Sequence, residues 1–330
     1  MVCVCPLRLA MNRPRSTRLF LGTMSADRRR EDVRRDTMSA ESMKARVGPS
    51  DYYDTVPPAG HAPGDIWVGL PTMGLLRLAH VPGIVITPAC DLANHKAETV
   101  TYVPVVPITT YFASQAFLPE VMRAIESHLK GVGADGLNLT DGRRFGYPSV
   151  STVRAVKELI AAPPRNEISD RLTTGLRYVE SARDTGRAEL SDLRQLLGPK
   201  SLAETVQKIV KNAYRLDMHF LPHDGQIADW SGVAEHSVAL FRYPITAPTD
   251  ILDAANAPTI ADWATAVSEL APTWPVATHF SEKRPMKRVS VKPRFLSDLL
   301  TRYVALHVRL GSPDFTPDTV AEYTRQIVEV

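Results

Sequence analysis

The chain has 330 residues, 44% apolar and 23% charged, with a formal net charge of +3. Those proportions are close to an average globular protein, and no apolar run approaches the ~18 residues of a membrane-spanning helix. Residues 1–50 carry 11 Lys and Arg against 5 Asp and Glu, which leaves 28 against 31 in the rest, so the body is not a generally basic nucleic-acid binder.

Residues 1–50 have no sustained helical or strand period. They hold five methionines and the run Arg28-Arg29-Arg30, and read as a disordered basic arm. Pro6 and Arg8 interrupt the mildly apolar start, which argues against a secretory leader. The cysteines are Cys3, Cys5 and Cys90; they form no disulfide framework and suit a reducing cytoplasm, the expected location.

Strand signals begin at Gly64-Asp65-Ile66-Trp67-Val68-Gly69-Leu70. They continue at 75–79, at the β-branched run 83–87, and at 99–108, where Pro104 and Pro107 limit pairing. Short strands this close together predict a meander or a small barrel. Helical periods then take over through 115–217. One lies over 117–129, one carries the stripe Val153, Val156, Leu159 and Ile160, and Pro163-Pro164 breaks the stretch. Ser201-Leu202-Ala203-Glu204 is a capping box, opening a helix with Val206, Ile209, Val210 and Tyr214 inward. Strands return at 218–221 and 237–243, with the turn Pro222-His223-Asp224-Gly225 between them. Helices follow at 262–270, at 294–310 and after Thr316-Pro317. The expected fold is α+β: a small barrel-like β core over 51–114 and 218–330, interrupted by a mostly helical insertion over 115–217.

The densest polar cluster is residues 87–96, directly after a buried-looking strand, where Cys90, Asp91, Asn94, His95 and Lys96 stand together. Loops held by rigid strands are common homes for function. Cys90 is a candidate nucleophile or ligand, and Asp91 a candidate to orient a base. The alternative is a tight turn with Cys90 packed as a small hydrophobe, and an acidic neighbour raises a thiol's pKa rather than lowering it. His80 and His95 with Cys90 and Asp91 lack the paired spacing of a zinc site, and no metal is expected. His219, His223 and His236 read as satisfied or exposed histidines. Six cations lie within 283–294: Lys283, Arg284, Lys287, Arg288, Lys292 and Arg294. They are either a phosphate-binding patch or an edge strand guarded by charge. No phosphate loop, nucleophile elbow or kinase signature occurs, and no cofactor is expected.

Gly64-Asp65-Ile66-Trp67, Pro82 with the run 83–87, Asn94, and Val105-Val106-Pro107-Ile108-Thr109 together resemble the opening of the PemK/MazF-like toxins. More weakly, 237–252 resembles a later strand and turn of that family and 294–310 its closing helix. The resemblance implies an SH3-like barrel that cuts RNA without a metal. Such cleavage needs a base, an acid and a cation on the phosphate. Carried to this chain, Asp91 or His95 is the base, Arg77 or Lys96 the cation and Thr109 a hydrogen-bond donor. The family's Arg before the Pro is Val81 here, and the helical insertion has no counterpart in the small toxins. The two expected functions are therefore a metal-independent endoribonuclease in a toxin or phage-defence setting, and a non-catalytic module recognising a protein or nucleic acid. Expected partners are RNA or another nucleic acid, an antitoxin-like or defence protein, and a second copy in a homodimer; a membrane is not expected.

Overall fold

The apolar runs on either side of the helical stretch pair into one eight-stranded antiparallel sheet. The computed structural model describes residues 51–94, 96–134, 136–137, 139, 146–161, 166–223, 233–259, 262–307 and 316–319. The expected basic arm, the Pro163-Pro164 break, His95 and the Asp224-Gly225 half of the expected turn lie outside the described residues. The strands are β1 (Tyr53–Asp54), β2 (Asp65–Pro71), β3 (His80–Val85), β4 (Thr99–Pro107), β5 (Met218–Leu221), β6 (Ser237–Leu240), β7 (Ile245–Pro248) and β8 (Met286–Val291). Their order is β1-β8-β2-β3-β4-β6-β5, and β7 also pairs with β4.

β4 is the axis of the sheet, and its prolines divide it. Residues Thr99 to Tyr102 pair with β7, and Val105 to Pro107 pair with β6. Pro104 has no N–H to donate and sits where one neighbour leaves and the other takes over. Opposite it stands Gly83. A Cβ there would meet Leu70 and Tyr102 side-chain carbons at 2.7 Å, so only glycine lets the β2 and β4 side chains close over β3.

The expected barrel does not form. The sheet is open: β1 and β5 end the strand order, and no backbone pairing joins them among the described residues. β1 contributes only two residues, both registered on β8, too short a ladder to close a ring. Side chains bridge the gap instead. The Tyr52 hydroxyl and His219 Nε2 share a hydrogen bond at 2.5 Å, and the Tyr53 hydroxyl donates to the Pro222 carbonyl at 2.8 Å. The fold is thus α+β with an open, curled sheet.

Alternation along the strands sends side chains to different cores. Ile66, Ile84, Val103 and Val105 pack with Leu299 of α10 (Pro293–Ala305). Trp67, Val85, Val100 and Tyr102 pack with Ile251 and Leu252 of α8 (Thr249–Asn256) and Val267 of α9 (Trp263–Leu270). Val106, past the switch, enters the core of the helical segment. That segment holds α3 (Leu118–Gly131), α4 (Val150–Ala161), α5 (Glu167–Asp184), α6 (Leu190–Leu197) and α7 (Pro199–Val210); two short helices, α1 (Ala89–Ala93) and α2 (Ile108–Ala113), flank β4.

Local expectations shift in two places. The run 75–79 is not a strand: Leu76 and Arg77 have φ of 58° and 53°, and ladder pairing starts only at His80, opposite Pro71. The helix expected to open at Ser201 opens two residues earlier, because Pro199 is pre-set for the first helical position after Gly198. No helix of the described residues is long and apolar enough to cross a membrane.

Candidate acid–base site

The register of three strands builds the densest acid–base group. Ser237 pairs with Pro107 on one side and with Leu221 on the other. Its neighbour His236 therefore lies beside Ile108 and the Pro222-His223 corner, although those residues are over 100 positions apart in the chain. The Ile108 N–H donates to the His236 carbonyl at 2.9 Å, fixing the start of α2 against this corner. The Thr109 hydroxyl donates to Glu235 Oε2 at 3.4 Å.

The hydrogen bonds assign a different tautomer to each histidine. The His223 N–H donates to His236 Nδ1 at 3.0 Å, so in neutral His236 the proton is on Nε2. His223 Nδ1 lies 2.9 Å from the Val233 carbonyl, which can only accept; neutral His223 thus carries its proton on Nδ1 and leaves Nε2 as a lone pair. The rings stand 6.1 Å apart, edge to face. His236 is exposed and His223 half-buried. One ring can take a proton and its neighbour presents an N–H donor.

Beside Thr109 opens a cavity of about 340 Å³ lined by Leu76, Leu78, Thr109, Ser114, Arg187 and Leu190, among others. Its volume is in the range of small-ligand sites. Arg77 is not among its lining residues but adjoins one of them. Its stem packs on Gly186, where a Cβ would come within 2.6 Å of Arg77 Cδ and where φ is +75°. Asp184 is held below the usual carboxylate range, first by the Arg183 guanidinium and further by Arg77.

The expected site residues do not gather in one place. Thr109 lines the cavity at the end of β4 and Arg77 packs on Gly186 of its wall, while Cys90, Asp91, Asn94 and Lys96 precede the start of β4. The nine residues of β4 span about 25 Å. His95 lies outside the described residues. The expected 90–96 loop opens as the short helix α1, and its bonds are local: Cys90 Sγ to Asp91 Oδ1 at 3.5 Å, and Asn94 Nδ2 to the Cys90 carbonyl at 2.6 Å. The Asp91 carbonyl accepts from Lys96 and Ala97 N–H at 2.9 and 3.3 Å. Among the described residues, no group of three or more His, Cys, Asp or Glu could hold a metal ion.

The basic stretch takes a different form from either expectation. β8 is not an edge strand; it lies between β1 and β2. Lys287 is buried, its side chain 4% exposed, and its Nζ lies 3.2 Å from the wholly buried Asp65. The same Nζ donates to the Pro58 and Gly60 carbonyls at 2.6 Å. Asp65 further accepts from the Ala62 N–H at 2.9 Å and from the Ser290 hydroxyl. Arg284 donates to the carbonyls of Ala255 and Ala257, holding the end of α8. Arg294 reaches the Asp51 carbonyl at 2.9 Å and lies over the Phe295 ring. Lys283 lays its aliphatic stem against Gly69, with its residue exposed. Arg288 and Lys292 are half-buried. At least three of the six cations thus hold the fold together, and the stretch is not a free basic face.

The sequence reads His223 and His236 as satisfied or exposed histidines and does not single out Glu235, because nothing in their spacing points to Thr109. Only the shared register at Ser237 brings them there. No family model, no curated protein and no solved structure matches the chain.

Proposed function

We propose that this is a nucleic-acid-related protein, and that it acts as a metal-independent endoribonuclease whose acid–base pair is His223 and His236. The carrying observation is the pair of opposite tautomers on adjoining rings. His223 Nε2 would take the proton of the ribose 2′-hydroxyl as that oxygen attacks phosphorus. His236 Nε2–H would hydrogen-bond the departing 5′-oxygen, and the proton taken up by His223 would be returned to that oxygen through solvent, leaving a 2′,3′-cyclic phosphate and a free 5′-hydroxyl. Arg187, exposed in the cavity that Thr109 lines, would supply the positive charge such a phosphate needs, with Arg77 exposed behind Gly186 of the same wall. This reading keeps Arg77 and Thr109 from the toxin resemblance and moves the base from the 91–95 loop to His223.

The test is cleavage of single-stranded RNA with chelator present. Wild type should yield cyclic-phosphate ends and leave a 2′-deoxy oligonucleotide intact, since the nucleophile is then missing. His223→Ala and His236→Ala should each lose about 10²–10⁴ in rate. RNA bound but not cut by wild type would instead favour the non-catalytic module. That second reading has its own support: Val81, standing where the toxins have Arg, is buried in the core of the helical segment and cannot serve a phosphate.

A further inference from the structure

The other end of β4 carries a second cavity, of about 490 Å³, whose charged lining side chains are acidic. Its floor is Leu92, Ala93 and Ala97, and around it stand Glu98, Asp250 and Asp253, with no Lys or Arg among the lining residues. Lys287 touches Gly60 of this wall through the carbonyl but is already paired with Asp65.

Two of the carboxylates are oriented by ring nitrogens. Asp250 and Asp253 sit three residues apart on α8 and so share a face. Trp274 Nε1–H donates to Asp250 Oδ2 at 3.0 Å, and His61 Nε2 lies 2.7 Å from Asp253 Oδ1. His61 lines the cavity with its side chain only 8% exposed, and its Nδ1 is buried without a hydrogen-bond partner. With the proton on Nε2 facing Asp253, Nδ1 is an orphan acceptor, a state that calls for a donor. Carboxylates seeking charge and an imidazole seeking an N–H ask for the same group. The acidic side chains are dispersed around an apolar floor rather than gathered on a point. That layout suits an organic cation with an aliphatic stem better than a bare ion.

We infer that this cavity binds an alkyl ammonium or guanidinium group, from a free amine of the polyamine type. The stem would cover Leu92, Ala93 and Ala97, and the charged ends would meet Glu98 and the Asp250–Asp253 face.

Calorimetric titration of the full chain with agmatine, which has a guanidinium at one end and an ammonium at the other, tests this. Saturable one-to-one binding is expected at low ionic strength, with no binding of n-butanol. Glu98→Gln and Asp253→Asn should each weaken it about tenfold. Both residues are exposed, and unchanged thermal unfolding would certify the folds. A blocked Gly-Arg-Gly peptide forms the second arm: tighter binding than agmatine would assign the cavity to a protein's arginine side chain, and weaker binding to a free amine. Absence of agmatine and peptide binding, or binding indifferent to both substitutions, overturns the inference.

Discussion

The polar groups at the two ends of β4 were assembled in different ways. The Cys90–Lys96 stretch at one end draws its polar groups from a few consecutive residues, and those groups bond to one another. The Thr109 end draws on α2, the turn after β5 and the approach to β6, and there the groups face one another across strands. Density along a sequence is thus a poor guide to chemistry, because consecutive polar residues easily satisfy each other in a turn. Residues brought together by strand register have been positioned by the whole sheet.

The largest expected effects separate the ends. His223→Ala or His236→Ala should remove cleavage by about 10²–10⁴ while agmatine affinity stays within about twofold, since distant sites act independently. Asp253→Asn should do the reverse. Loss of both activities in either variant would mean that the ends are coupled, and the comparison would fail.

The next effect lies in the sheet that keeps the ends apart. Lys287→Met leaves Asp65 wholly buried without its cation, a change that costs about 3–5 kcal/mol in urea unfolding. Lys283→Gln, on an exposed residue of the same basic run, should stay within about 0.5 kcal/mol. Equal losses would return the run to a collective role.

A third test uses pH. His219 is buried against Tyr52, with Asp298 3.5 Å from Nδ1 and Arg302 nearby. Burial lowers its pKa from 6.5 to about 4, outweighing the attraction of Asp298. The unfolded chain takes up the proton first as pH falls, so the contribution of neutral His219 is intact above 6.5, drains away between 6.5 and 4, and changes no further below. The loss is about 3 kcal/mol across that window. Urea midpoints at pH 7, 5.5 and 4.5 should fall in wild type and much less in His219→Gln. Asp217, held below its usual value by Arg215 and Arg242 against the effect of burial, weakens the fold only at still lower pH.

What the sequence made legible follows the range of each interaction. The mixed class, the strands near 64–70 and 99–108, and the helix from Pro293 were readable, because hydrophobic period and proline placement are local. Val105-Val106-Pro107 was readable as a strand, but its partner was not, and the site depends on that partner. The open sheet was not readable either: closure turns on the two-residue length of β1 and on Tyr52 reaching His219, contacts that span 167 positions. Asp65 of the Gly-Asp-Ile-Trp run was visible only as a motif; its role as the buried partner of Lys287 needed the β2–β8 register.

The smallest expected effect bears on the loop that looked richest in sequence. Asp91→Ala and Cys90→Ala should each leave RNA cleavage within about twofold, because both side chains lie at the far end of a strand about 25 Å long from Thr109. The thiol's described hydrogen bond is local, to the Asp91 carboxylate at 3.5 Å. Asn94→Ala removes the 2.6 Å bond to the Cys90 carbonyl and should cost about 1 kcal/mol of stability, as an exposed hydrogen bond does, with cleavage again unchanged. A drop of tenfold or more in cleavage for Asp91→Ala, with the fold intact by urea unfolding, would carry the catalytic base back to this loop. The histidine corner would then be a structural clasp on β6, whose loss should lower stability without altering the pH profile of cleavage.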